Sequence, residues 1–189
     1  VVNLGTGDYT FINGASNDTI SAGAGKDVAD YDAETSVMTY NLATGAVTGA
    51  GTDELSGFEV YLSGSGDDRF IVHDVAANNT LNGGTGTDTA DYSSDANDLT
   101  VDLSGTDSVT GTGIGADILN SVEVVNLGTG DDTFINGASN DTISAGAGQD
   151  VADYSGATSG ITANLASGGV TGTGIGTDDL SGFEVFKAG

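Results

Sequence analysis

An acidic residue recurs every nine positions through residues 126–154, NLGTGDDTFINGASNDTISAGAGQDVADY, and nothing else in the chain restricts its fold as much. Asp132, Asp141 and Asp150 each follow a run of small or glycine residues, and two positions beyond each stands an apolar or small side chain, Phe134, Ile143 and Ala152. The phrase reads as a turn followed by a short strand. Glycine pairs such as Gly23/Gly25, Gly84/Gly86 and Gly146/Gly148 allow left-handed dihedrals and close backbone approach. In the VADY that follows, Ala152 and Tyr154 face one way and Val151 and Asp153 the other.

A longer repeat contains the shorter one. VNLGTGD occurs at residue 2 and again at residue 125, and Ile20 to Asp30 matches Ile143 to Asp153. A weaker copy between them reads YLSGSGDDRF at 61–70 and LNGGTGTDTADY at 81–92, with SVEV at 121–124 where the outer copies have GFEV. The chain therefore divides into units 1–60 (entered partway through a repeat), 61–124 and 125–189, which together form one continuous solenoid because no unit buries its apolar face alone.

The residues expected to point inward recur by unit: Phe11, Ile20, Ala29; Phe70, Leu81, Ala90; Phe134, Ile143, Ala152. Tyr31, Tyr92 and Tyr154 follow the alanines on the same face, where the ring fills the space that alanine leaves. The second half of each unit lacks the nine-residue spacing but still alternates, with Met38, Tyr40 and Leu42 matching Leu99, Val101 and Leu103, and Ile161, Ala163 and Leu165. The pattern predicts an all-β parallel β-roll or β-helix solenoid of three repeats of about 62 residues, with a thin core and about six short strands per repeat. An even number of strands would return each unit to the same side.

Composition agrees: 32 glycines and no proline or tryptophan leave little material for amphipathic helices. The formal net charge is −25, from 28 acids against 3 lysines and arginines, which argues against nucleic acid or an anionic membrane surface as partner and makes cations the expected one. The acids stand singly at regular intervals rather than in the blocks typical of disordered tails. Cysteine is absent, no apolar run is long enough for membrane insertion as a helix, and no signal peptide opens the sequence. Entry into its compartment is therefore expected by another route, or from within a longer protein.

Catalysis is not expected. His73 is the single histidine, no serine constellation repeats, and the acids follow the repeat instead of breaking it as an active site would. The GTGIG segments at 111–115 and 172–176 partly mimic a phosphate loop, but no helix or basic residue follows, and they read as flexible turns.

A hard divalent cation takes six to eight oxygen ligands from carboxylates, carbonyls and water. If two phrases of nine make one turn of a roll, acids eighteen apart lie one above the other, which pairs Asp132 with Asp150 on one edge and Glu123 with Asp141 on the other. In the middle unit Asp68 pairs with Asp88, twenty apart because two residues are inserted around Val72 and His73. Glu59 then faces Asn79, Asp27 faces Tyr9, and Asp18 lacks an acid partner before it. Glu59 and Glu123 stand nine before Asp68 and Asp132, so glutamate occupies the acid position of a degenerate phrase. Acids in glycine-rich turns also serve as solvated turn formers; recurrence in all three units favours cations.

The phrases GGTGTDTAD (83–91), AGAGQDVAD (145–153) and NGASNDTIS (136–144) resemble the GGxGxDxUx nonapeptides of hemolysin-type, repeats-in-toxin (RTX) calcium-binding proteins, U being a large apolar residue. TDELSGFEV and TDDLSGFEV resemble linking stretches of large secreted and surface proteins of that group. The resemblance covers about half of each unit directly. It implies a parallel β-roll in which turn carbonyls and acids of successive coils enclose several Ca2+ ions. The ligand role then falls on Asp18, Asp27, Asp68, Asp88, Asp132, Asp141 and Asp150, with Glu59, Glu123 and Glu184 as substitutes. Tyr9 in an acid position, the glycine-free DVAANNTLN at 74–82 and frequent replacement of the first glycine depart from the family pattern.

The expected function is that of a calcium-binding structural module in an extracellular bacterial adhesin, surface-layer or fibre protein. The resemblance also implies type I secretion from a Gram-negative bacterium and folding on calcium binding outside the cell. An accessory domain of a secreted enzyme or toxin, and a filament subunit stacking end to end, are the alternatives. The expected partners are calcium, further copies of the chain or a cell-surface component.

Overall fold

Each phrase supplies only about three alternating residues between glycine turns, so strands form but stay short. The computed structural model describes residues 1–73 and 77–189; the first three positions of the DVAANNTLN phrase lie outside the described residues. The first unit contributes β1 (Val2–Asn3), β2 (Thr10–Ile12), β3 (Thr19–Ser21), β4 (Val28–Asp30), β5 (Thr39–Asn41), β6 (Ala46–Thr48) and β7 (Thr52–Ser56). The second contributes β8 (Val60–Leu62), β9 (Arg69–Ile71), β10 (Thr80–Asn82), β11 (Thr89–Asp91), β12 (Leu99–Asp102), β13 (Ser108–Gly111) and β14 (Gly115–Asn120). The third contributes β15 (Val124–Asn126), β16 (Thr133–Ile135), β17 (Thr142–Ser144), β18 (Val151–Tyr154), β19 (Ile161–Asn164), β20 (Gly169–Gly172) and β21 (Gly176–Ser181), and β22 (Val185–Ala188) starts the pattern again.

These strands form two mostly parallel sheets, one of 12 strands in the order β1-β3-β7-β6-β5-β9-β11-β15-β17-β21-β20-β19, and one of 10 in the order β2-β4-β8-β10-β14-β13-β12-β16-β18-β22. The chain winds from one sheet to the other and back, so the all-β parallel solenoid expected from the repeat is the observed architecture. Neighbouring coils made of two phrases are offset by 18 residues in the outer units (Val2↔Ile20, Thr133↔Val151) and by 20 in the middle one (Val60↔Thr80, Arg69↔Thr89), and the offset is longer where a meander intervenes (Thr19↔Glu54, Thr142↔Asp179).

One strand per unit separates the structure from the sequence expectation. Among the described residues each unit has seven strands instead of about six, because its second half is an antiparallel meander (β5-β6-β7, β12-β13-β14, β19-β20-β21) that stays within one sheet. The winding thus crosses between sheets an odd number of times per unit. Equivalent strands alternate sides: β1 and β15 lie in the larger sheet, β8 and β22 in the smaller. The units that share VNLGTGD are the two on the same side. The GTGIG segments, expected to be flexible, are hairpin turns that bury Ile114 and Ile175.

Buried apolar side chains form a single cluster between the sheets, arranged as in-register columns. One column runs Val101, Phe134, Ala152, Phe186 and another Tyr40, Phe70, Ala90, Val125, Ile143, Leu180. Tyr154 covers the small Ala152, with its ring 5.0 Å from that of Phe186 and 5.9 Å from that of Phe134. Leu165, expected to face inward, is 74% exposed, because β19 pairs on only one side.

Candidate metal centre

The two crossing directions create two rows of turns. Along one edge, where the chain passes from the larger to the smaller sheet, stack Tyr9, Asp27, Glu59, Asn79, Asp132, Asp150 and Glu184; along the other stack Asp18, Asp68, Asp88, Glu123 and Asp141. The register brings together Asp132 with Asp150, Asp68 with Asp88, Glu123 with Asp141, Glu59 with Asn79 and Tyr9 with Asp27. Glycine allows the turns to stack: at Gly146, φ is +92° and a Cβ would collide with the carbonyl oxygen of Gly128 in the coil before, which accepts the Ala147 N–H at 2.9 Å.

Eight of the ten acids expected as ligands reach back one coil and cap an amide, Asp18 and Asp141 being the exceptions. Asp150 Oδ1 accepts the Asp132 N–H at 2.7 Å, Asp132 Oδ1 that of Leu99 at 2.7 Å, Asp88 Oδ1 that of Asp68 at 2.7 Å, Asp68 Oδ1 that of Met38 at 2.7 Å, and Asp27 Oδ1 that of Tyr9 at 2.8 Å. Glu59, Glu123 and Glu184 do the same through Oε2, for Asp27, Asp88 and Asp150 at 2.8, 2.9 and 2.8 Å. The residue just before an acid position reaches forward instead: Asp8, Asp67 and Asp131 accept the N–H groups of Lys26, Thr87 and Gln149 at 2.8, 2.9 and 2.8 Å. Successive coils are stitched in both directions.

Three acids that the spacing did not single out belong to these rows. Asp53, Asp117 and Asp178 lie on the last strand of each meander, are buried, and accept the N–H of Asp18, Asn79 and Asp141 at 2.8, 2.8 and 3.2 Å. Each also accepts a tyrosine hydroxyl, from Tyr31, Tyr92 and Tyr154 at 2.6, 3.0 and 2.7 Å. Their signal was present: Leu55, Leu119 and Leu180 follow them by two positions, as the apolar residue follows the acid in every phrase. The preceding glycine run is displaced, because these acids sit inside a strand.

The second oxygens divide the acids by chemistry. Those of Asp53, Asp117 and Asp178 have the tyrosines, and that of Asp68 has the Ser63 hydroxyl. The Oδ2 atoms of Asp27, Asp88, Asp132, Asp141 and Asp150 are buried without a hydrogen-bond partner. An unpaired buried carboxylate oxygen costs about 1–3 kcal/mol or more. Burial first, then neighbouring carboxylates, pushes Asp88 and Asp132 up to about 6 and Asp141 up to about 7, and Asp150 is also raised; burial likewise pushes Asp117, whose second oxygen is paired, up to about 6. Asp18, Glu59 and Glu123 are half-buried and Glu184 is exposed.

Of the chain's three lysines and arginines, Arg69 pairs with Asp91 and Lys187 lies 3.5 Å from Asp153, so two are engaged with other carboxylates. A hard divalent cation fits a donor set of single carboxylate oxygens set among turn carbonyls. Among the described residues no three acid, histidine or cysteine side chains converge on one point, so an ion held here would need most of its ligands from other groups or water. Comparison with models of known protein families and with curated proteins gives no match.

Proposed function

We propose that the chain is a calcium-binding structural module of an extracellular bacterial protein, an adhesin, surface-layer or fibre component, whose roll is stabilised as calcium binds. The observation that carries this reading is the recurrence of the same vacancy in hydrogen bonding, the buried Oδ2 of Asp27, Asp88, Asp132, Asp141 and Asp150, at the acid positions of both edges. These five would hold the ions most directly, with turn carbonyls completing the shell and Glu59, Glu123 and Glu184 adding charge at the half-buried or exposed positions. Asp68, whose second oxygen already has Ser63, and the half-buried Asp18 are weaker ligands.

The bound ion supplies the counter-charge that the carboxylates lack. Without it, a chain of net charge −25 must bring dehydrated, mutually repelling acids together around a thin core. With it, each site filled at 100 times its dissociation constant adds about 2.7 kcal/mol to the folded state. Calcium suits flexible, carbonyl-rich cages better than magnesium, which demands octahedral geometry and retains its waters. Export as an unfolded chain through a type I channel, implied by the RTX resemblance, would place this folding step where calcium is plentiful.

The test is a calcium titration of the chelator-treated protein followed by circular dichroism, with magnesium as control. The β signal and the thermal midpoint are expected to rise with calcium and to respond weakly to magnesium. Spectrum and midpoint unchanged by chelation would refute the reading.

A further inference from the structure

The chain contains one kind of junction twice, and the two copies differ in a way that singles out the second. At each junction the loop leading into a meander takes the place of a nonapeptide turn and stacks on a true turn of the next unit. In the first copy the Ser65 N–H donates to the Glu34 carbonyl at 2.8 Å and the Met38 N–H to Asp68 Oδ1 at 2.7 Å. In the second the Thr129 N–H donates to the Asp95 carbonyl at 3.1 Å and the Leu99 N–H to Asp132 Oδ1 at 2.7 Å. Glu34 and Asp95 are thus equivalent, as are Asp68 and Asp132.

At the first junction every carboxylate has an internal partner. Glu34 Oε1 accepts the Asn13 amide at 2.8 Å, and Asp68 Oδ2 accepts the hydroxyl of Ser63, which in turn accepts that of Tyr40 at 3.0 Å. At the second junction the place of Ser63 is taken by Leu127, which has nothing to donate. Asp95 is one methylene shorter than Glu34, and its Oδ1 is held within its own loop by the Asn97 N–H at 2.8 Å and side-chain amide at 2.9 Å. Asp95 Oδ2 and Asp132 Oδ2 are both buried without a partner, on residues that are 2% and 0% exposed.

Two backbone carbonyls, of Asp95 and Tyr92, lie at this junction, where they accept the Thr129 and Asp95 N–H groups at 3.1 and 2.8 Å. Gly128 packs against the carbonyl oxygens of Asp95 and Tyr92 so closely that a Cβ would meet the first and lie 3.2 Å from the second. Asp98, in the same loop, accepts the Asp131 N–H at 2.9 Å, and the charges of Asp150, Asp98 and Asp95 all bear on Asp132. Two unpaired, dehydrated carboxylate oxygens at one junction, with the equivalent junction satisfied by ordinary hydrogen bonds, have a cation as their natural complement.

We propose that the Asp95–Asp132 junction is a cation site of a second kind, in which the linking loop contributes a carboxylate, Asp95, at the position where a nonapeptide turn contributes only a glycine carbonyl. It takes a hard divalent cation, calcium in the extracellular setting, and it rests on the reading that Asp132 serves calcium at all. The added negative charge makes it tighter than the single-carboxylate sites of the regular turns.

Calcium binding to the full chain, measured by isothermal titration in chelator-treated buffer, tests this with Asp95→Asn against wild type. The variant should lose one calcium equivalent, or weaken the tightest one by about tenfold or more, with the remaining equivalents unchanged. Wild-type stoichiometry and affinities in Asp95→Asn overturn the second site alone, and absence of calcium binding by the wild type overturns it together with the general reading. Should Asp95→Asn fail to fold, amide exchange in the wild type decides. Calcium should slow the Leu99 and Thr129 amides more than Met38 and Ser65 at the satisfied junction, and equal slowing at both overturns the proposal.

Discussion

Replacing Tyr154 by phenylalanine removes one oxygen from a site whose surroundings are otherwise kept. The Tyr154 hydroxyl donates at 2.7 Å to Asp178 Oδ2, while Asp178 Oδ1 accepts the Asp141 N–H at 3.2 Å, and both side chains are 1% exposed. Phenylalanine retains the ring contacts with Phe134 and Phe186. The loss is therefore a hydrogen bond to a buried charged group that water does not reach, worth about 1.5–3 kcal/mol. For a chain of this size, a loss of about 2 kcal/mol lowers the melting temperature by about 4–8 °C.

The tyrosine bond favours the ionised form of Asp178, whose acidity burial otherwise weakens. The difference between wild type and Tyr154→Phe should be largest where Asp178 is ionised and shrink as pH falls and it protonates. Thermal unfolding in saturating calcium at several pH values measures this, and a cycle with Asp178→Asn isolates the pair, with coupling of about 1 kcal/mol or more expected. A Tyr154→Phe midpoint within error of wild type at neutral pH would show that the acid is not held by the tyrosine, and the structural role assigned to Asp53 and Asp117 would fail with it.

In chelator, stability should rise as pH falls from 8 towards 4.5. Asp88 and Asp132 near 6 and Asp141 near 7 are raised above the unfolded carboxylate value, so their contribution is full below about 4 and is lost as pH rises through 6 to 7. Thermal scans in chelator and in calcium check it, and a calcium-free midpoint that climbs with pH contradicts it. Asp150→Ala should weaken calcium affinity more than Asp153→Ala, since Asp153 caps the Ser155 N–H at 2.9 Å and faces Lys187; equal loss by titration would count against the ligand row. Gly146→Ala, which must hold φ at +92° and strike the Gly128 carbonyl, should destabilise by about 2 kcal/mol or more, whereas Gly156→Ala, with open space around it, should stay within about 0.5 kcal/mol in denaturant unfolding.

The winding was legible because it is local. Nine residues make one turn and one strand, and Phe134, Ile143 and Ala152 announce which side faces inward. The register of 18, and of 20 in the middle unit, follows from adding two such phrases. The meanders were not legible, because β6, β13 and β20 pair antiparallel inside one sheet and consume chain without advancing the winding. Asp141 and Asp178 are 37 residues apart in sequence yet on adjacent coils. A rule stated in residues loses Asp53, Asp117 and Asp178, whereas a rule stated in coils finds them. The contrast between Leu127 and Ser63 was equally hidden, since a single hydroxyl matters only once the loops that stack beside it are known.

The odd crossing count also decides how a surface made of such units is displayed. Whatever a meander carries on its outer side is shown alternately to left and right, so a binder approaching from one flank meets the same epitope only in every second unit. In the larger sheet β6 and β20 are seven strand positions apart, a spacing of about 34 Å at about 4.8 Å per strand. A two-headed partner whose linker spans that distance would gain avidity from one flank, and a shorter one would be confined to a single grip.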